Sequence, residues 1–208
     1  MYKIVYEDRW LLVLDKPAGI LTLPFSSEDK NSLLQQLNIR YRDPLFPCHR
    51  LDKETSGLVI FAKNKTTQKR IMALFRKKEI KKKYIGVVQG WVEKNEGRIK
   101  NYLFDGLKRK CAITDYRVIL RNPEYSILEI EPLTGRKNQV RIHFKQMGHP
   151  IVGERRFARA RDYALSAKRL LLHARELEFV HPENGKRLKI TSPLPEEIKI
   201  FLGKEVVG

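Results

Sequence analysis

The chain has 208 residues, enough for one or two domains with a real core, and no stretch approaches the ~20 apolar residues of a membrane span. Its 42 Lys and Arg against 24 Asp and Glu leave a net charge of +18, which points to a polyanionic partner, nucleic acid before a membrane surface, over the plainer reading of a solvated basic face. Two cysteines, Cys48 and Cys111, sit in no paired motif, and Met1 to Asp8 carries no signal-like apolar run, so a cytoplasmic setting without a disulfide is expected.

Strand-like runs open the chain at Lys3 to Tyr6 and Trp10 to Leu14, and Asp15-Lys16-Pro17-Ala18-Gly19 closes the second with turn chemistry. Ser26 to Asp29 offers caps for a short helix carrying Leu33, Leu34 and Leu37. The run Leu58-Val59-Ile60-Phe61-Ala62, entered through Gly57, reads as a buried strand. Asn64 or Thr66 caps a helix to about Lys78, with Ile71, Leu74 and Phe75 on one face. Tyr84 to Val88 is a strand stopped near Gly90. Thr114 to Leu120 and Ser126 to Ile130 form a hairpin across Arg121 to Glu124. Thr134-Gly135 turns into a helix from about Lys137, with Val140, Phe144 and Met147 at helical spacing, ended by Gly148. Leu170 to His173, Glu176 to Val180 and Arg187 to Ile190 are strand-like, the last two joined at Asn184-Gly185, and Pro195 to Leu202 closes with a helix. This pattern predicts an α+β fold, a mostly antiparallel mixed sheet with flanking helices, as one domain over residues 1–208 with a central cleft.

The segment His49-Arg50-Leu51-Asp52-Lys53-Glu54-Thr55-Ser56-Gly57 sets one carboxylate between two cations in a loop that enters a central strand. Loops on a rigid scaffold are common places for catalytic groups, although a turn with a surface ion pair is the plainer reading. Cys48 and His49 are adjacent and so point to opposite faces of an extended segment, which argues against a thiol nucleophile. Five histidines and two cysteines show no C-x-x-C or H-x-x-x-H spacing, and there is no Walker or G-x-G-x-x-G loop, so neither metal nor nucleotide cofactor is expected.

The same nine residues resemble the His-Arg-Leu-Asp-x-x-Thr-Ser-Gly signature of the RluA family of RNA pseudouridine synthases. Asp15 to Ile20 resembles that family's Lys-Pro-x-Gly element. Lys83 to Gly90 resembles its Lys-x-Tyr-x-Ala-x-Val-x-Gly strand in a spacing variant. Thr134 to His143 resembles Thr-Gly-Arg-x-His-Gln-Ile-Arg-x-His. Leu171-Leu172-His173-Ala174 with His181-Pro182 resembles the family's last two motifs. The resemblance spans about residues 2 to 202, and no S4-like extension is expected.

It implies isomerisation of uridine in rRNA or tRNA, without redox step, cofactor or metal, by a protein expected to be monomeric. By the resemblance Asp52 is the essential carboxylate and Arg141 keeps it ionised against burial. Tyr84 stacks on the target base and relays a proton. Arg50 takes the place of the flipped base, while His49, Thr55, Arg136 and Leu172 belong to the substrate side. Asn138 departs from the usual histidine. A non-catalytic RNA-binding or ribosome-assembly protein on the same fold is the rival reading. The stretch Lys65 to Lys83 and Arg155, Arg156, Arg159 and Arg161 are candidate phosphate contacts.

Overall fold

The computed structural model describes residues 2–25, 31–158 and 165–203. In chain order the elements are β1 (Lys3–Glu7), β2 (Leu11–Lys16), α1 (Leu33–Arg40), β3 (Phe46–Pro47), β4 (Ser56–Ala62), α2 (Lys65–Lys77) and β5 (Lys81–Gln89). They continue with β6 (Glu96–Asp105), β7 (Lys108–Asn122), β8 (Tyr125–Pro132), α3 (Gln139–Gln146), β9 (Leu172–Val180), β10 (Arg187–Thr191) and α4 (Glu196–Gly203). None of the described helices is long and apolar enough to cross a membrane. The chain divides into two compact units, Met1–Lys81 with Ala174–Ser192, and Lys82–His173 with Pro193–Gly208.

In the first unit the strands run β1-β2-β4-β9, with β10 on β9 and β3 on β4. Strands β2 and β4 pair antiparallel, Val13 opposite Ile60 and Leu14 opposite Val59. Every residue of Leu58 to Ala62 is fully buried, as a strand apolar on both faces requires. Leu11, Val13, Leu58, Ile60 and Ile71 share one core with Leu177, Phe179 and Ile190, and Leu74 and Phe75 of α2 pack onto it. The Asn64 side chain caps α2 by accepting the Thr67 N–H at 2.8 Å. The cap of α1 is Ser32, in a capping box with Gln35; the Ser26 to Asp29 cap lies outside the described residues.

Gly57 opens β4 where a side chain has no room. Its φ is +114°, and a Cβ there would lie 2.3 Å from the Ala174 carbonyl oxygen. Gly57→Ala is therefore expected to cost about 3 kcal/mol or more, from backbone strain and overpacking together. The urea midpoint should fall with an unchanged slope; a midpoint within error of wild type would show that β4 yields at this position.

In the second unit the strands run β5-β8-β7-β6, all antiparallel neighbours. Helix α3 covers one face through Val140 and Phe144, on Val88, Leu128, Ile130 and Leu172. Helix α4 covers another core through Ile198 and Phe201, on Ile85, Val87 and Ile127. The long β6–β7 hairpin escapes the sequence pattern, which reads only Thr114 to Leu120 of β7 and nothing of β6. The inward positions of β6 are Gly97, Ile99, Asn101 and Leu103, too few of them apolar to show an alternation.

Candidate active site

The loop carrying Asp52 is held from two sides within the first unit. On one side, Lys16 is fully buried and its ammonium donates to the carbonyls of Pro17 at 3.0 Å, Ile20 at 2.9 Å and Lys53 at 3.1 Å. Three carbonyls match the three donors of an ammonium, which lowers the cost of burying it. The Gly19 N–H adds a second bond to the Lys53 carbonyl at 2.8 Å. On the other side, the Thr22 hydroxyl donates to the Leu51 carbonyl at 3.0 Å and accepts the Leu51 N–H at 3.1 Å. The Thr55 N–H closes a turn on the Asp52 carbonyl at 3.2 Å. The Lys-Pro element and the Asp52 loop are thus one hydrogen-bonded assembly, with Asp52 itself half-buried.

Its neighbours have distinct settings. Arg50 is exposed, Thr55 is buried, and the Thr55 hydroxyl meets no hydrogen-bond partner among the described residues. The His49 ring accepts the Ile60 N–H on Nε2 at 3.1 Å and lies against Phe75, with ring centroids 4.7 Å apart. That use of the imidazole ties the loop to β4. Burial pushes the Cys48 thiol up to about 12, so it is no nucleophile at neutral pH.

In the second unit Tyr84 stands half-buried on β5, opposite Ile130, and packs on the core under α3. Two residues earlier on the same strand face is Lys82. Burial lowers its ammonium to about 8, with Glu131 pulling the other way, and Nζ reaches the Thr134 carbonyl at 3.5 Å. Lys83 instead pairs with Glu129 at 3.1 Å. Lys82 fits the Lys-x-Tyr spacing directly, so the spacing variant read from Lys83 is unnecessary.

Gln139, the first residue of α3, shapes the turn before it. Its carbonyl accepts the Thr134 hydroxyl at 2.6 Å and the Arg136 N–H at 3.0 Å. Its amide donates to the Ile113 carbonyl and the Thr114 hydroxyl, each at 2.9 Å. Arg136 also donates from Nε to the Cys111 carbonyl at 3.2 Å. Asn138 precedes the helix at φ 55°, a left-handed conformation that asparagine tolerates, and its Oδ1 accepts from Arg141 Nη1 at 3.3 Å. The residue that departs from the family pattern therefore supports the arginine.

Arg141 is 3 % exposed and forms a planar fork on Glu154, which is 0 % exposed: Nε to Oε2 and Nη2 to Oε1, both 2.7 Å. The N–H groups of Arg156 and Phe157 complete Glu154 at 2.8 and 3.2 Å, and the Phe157 ring lies 5.1 Å from the guanidinium. Burial pushes the Glu154 carboxyl up, but the fork and these N–H groups outweigh it and hold it below its ordinary value. Sequence reading missed Glu154. Its only signal is a lone carboxylate in a segment otherwise rich in arginine. Leu172 is buried in the core with Val88, Ile130 and Phe144. Among the described residues no three His, Cys, Asp or Glu gather as metal ligands would. The exposed Arg155 and Arg156 remain open to phosphates; Arg159 and Arg161 lie outside the described residues.

A model of the RNA pseudouridylate synthase family matches residues 10–146. The tRNA pseudouridine synthase C of Vibrio cholerae is 32% identical over 94% of this chain and 92% of its own length. The dual-specificity RNA pseudouridine synthase RluA of Yersinia pestis is 35% identical over 88% of this chain and 94% of its own. The solved structure of human RNA pseudouridylate synthase domain containing 1 shares the fold, with a TM-score of 0.80 over 94% of this chain and 84% of that one, at 24% identity. With the motifs held in the settings described above, and with relatives of this identity matched over most of their length, the chain belongs to the RNA pseudouridylate synthase family of uridine isomerases.

Proposed function

We propose that the enzyme isomerises specific uridines of structured RNA, tRNA or rRNA, after drawing the target base from its stack, with Asp52 as the essential carboxylate. The observation that carries this reading is the double fastening of the Asp52 loop by Lys16 and Thr22. A carboxylate held on a backbone that cannot drift is suited to attack one atom of a bound nucleoside. In the reaction the N1–C1′ bond breaks, the uracil turns, C5 bonds to C1′, and the C5 proton leaves while N1 is protonated. Tyr84, Arg141, Arg50, His49, Thr55 and Arg136 are assigned to the same uridine by motif, with Arg50 filling the vacated place in the stack. The exposed cations Lys65, Lys69, Arg76 and Lys77 of α2, with Lys78 at its C-cap, are suited to phosphates, which position RNA without reading its sequence.

Purified protein incubated with 5-³H-uridine-labelled tRNA and rRNA transcripts should release tritium and leave pseudouridine at discrete positions. Tight binding with every tritium retained would favour a non-catalytic RNA-binding protein. Tyr84→Phe separates ring from hydroxyl: RNA affinity should hold while turnover falls by roughly 100-fold, the scale of a lost proton relay. Lost affinity with unchanged turnover per bound RNA would contradict that role.

A further inference from the structure

Toward its turn, one face of the β6–β7 hairpin leaves large apolar side chains in water. Leu103 of β6 is buried, but the alternate residues Arg98, Lys100, Tyr102 and Phe104 point away from the core. Tyr102 is 60% exposed, Phe104 69%, and Leu107 at the turn 100%. In the register Phe104 stands opposite Arg109, whose guanidinium lies 5.9 Å from the Phe104 ring, and Tyr102 stands opposite Cys111. By the same register Lys100 and Arg109 share this face with the rings, whereas Lys108 and Lys110 stand on the opposite face with Leu103, and β6 is the last strand of its row. Two large aromatics and a leucine left in water at a strand edge invite unwanted association, a cost the core does not repay.

We propose that this face is a stacking platform for an unpaired stretch of substrate RNA lying outside the target uridine. This rests on the RNA-modifying role proposed above. Every base has a π-face, so exposed rings bind single strands with little regard to sequence, and cations beside them hold the phosphates. Charge complementarity selects this occupant. A second copy of the chain would bring Lys100 and Arg109 against their own likeness, and three apolar side chains beside these cations are too narrow a face for a lipid surface.

The test compares wild type with Tyr102→Ala/Phe104→Ala and Tyr102→Trp/Phe104→Trp, using a labelled short oligouridine strand and an RNA duplex of equal length. The alanine pair should weaken the single strand about tenfold or more and leave the duplex unchanged, while the tryptophan pair retains both affinities. Tritium release from saturating tRNA transcript should survive in both variants. Equal single-strand affinity in the alanine pair would overturn the platform. So would a wild type that sediments as a dimer and an alanine pair that sediments as a monomer, because the face would then belong to a second copy. If wild type releases no tritium from any transcript yet loses single-strand affinity with its rings, the platform stands and the uridine chemistry fails.

Discussion

Asp52→Asn protein is expected to bind RNA at near wild-type affinity and to release tritium at least roughly 1000-fold more slowly. The substitution keeps the size and planarity of the side chain and removes the charge on which its proposed role as nucleophile depends. Structure should survive it. The loop is held through backbone groups, the Leu51, Asp52 and Lys53 carbonyls and the Leu51 N–H, and an amide at position 52 disturbs none of these bonds. The measurement is single-turnover release from 5-³H-uridine RNA alongside a filter-binding isotherm. Release within a few-fold of wild type would remove Asp52 from the chemistry.

Arg141→Met should destabilise the protein by roughly 3–5 kcal/mol, because it strands the buried Glu154 carboxylate without its fork. Lysine should rescue poorly, since a point ammonium cannot make two parallel bonds. The pH dependence has a definite sign. Glu154 is held below its ordinary value in the folded wild type, so its contribution is complete above the unfolded carboxylate pKa of ~4.3 and is lost as pH falls through the folded value. In Arg141→Met the cause reverses: burial raises the Glu154 pKa, and acidification neutralises it. The stability gap between variant and wild type should therefore be widest at neutral pH and shrink toward acid. A second substitution, Glu154→Gln, should recover much of the loss. A gap independent of pH would show that Glu154 is not the stranded group.

The Asp52 loop and the Arg141 helix were legible because their residues are contiguous and their elements strongly patterned. Leu58 to Ala62 is apolar at every position, and Val140 and Phe144 lie at helical spacing. What supports them was not legible. Glu154 lies thirteen residues beyond Arg141, across a turn, and nothing local in Gly153-Glu154-Arg155 marks a carboxylate bound for the interior. Lys82 and Lys83 are neighbours in a basic run, and only the strand's alternation decides which is buried. Likewise β9 reads as two strands because the polar Arg175 interrupts its apolar pattern, although one strand spans Leu172–Val180.

Fastening Asp52 through Lys16 and Thr22 has a consequence for the timing of order. The conformational entropy of residues 51–53 is lost when the protein folds, not when RNA arrives. On the function proposed above, encounter with RNA then needs no ordering of residues 51–53, and the free energy of phosphate contacts stays available for unstacking a base. On the role proposed for Asp52, the reactive carboxylate is preorganised before the substrate arrives.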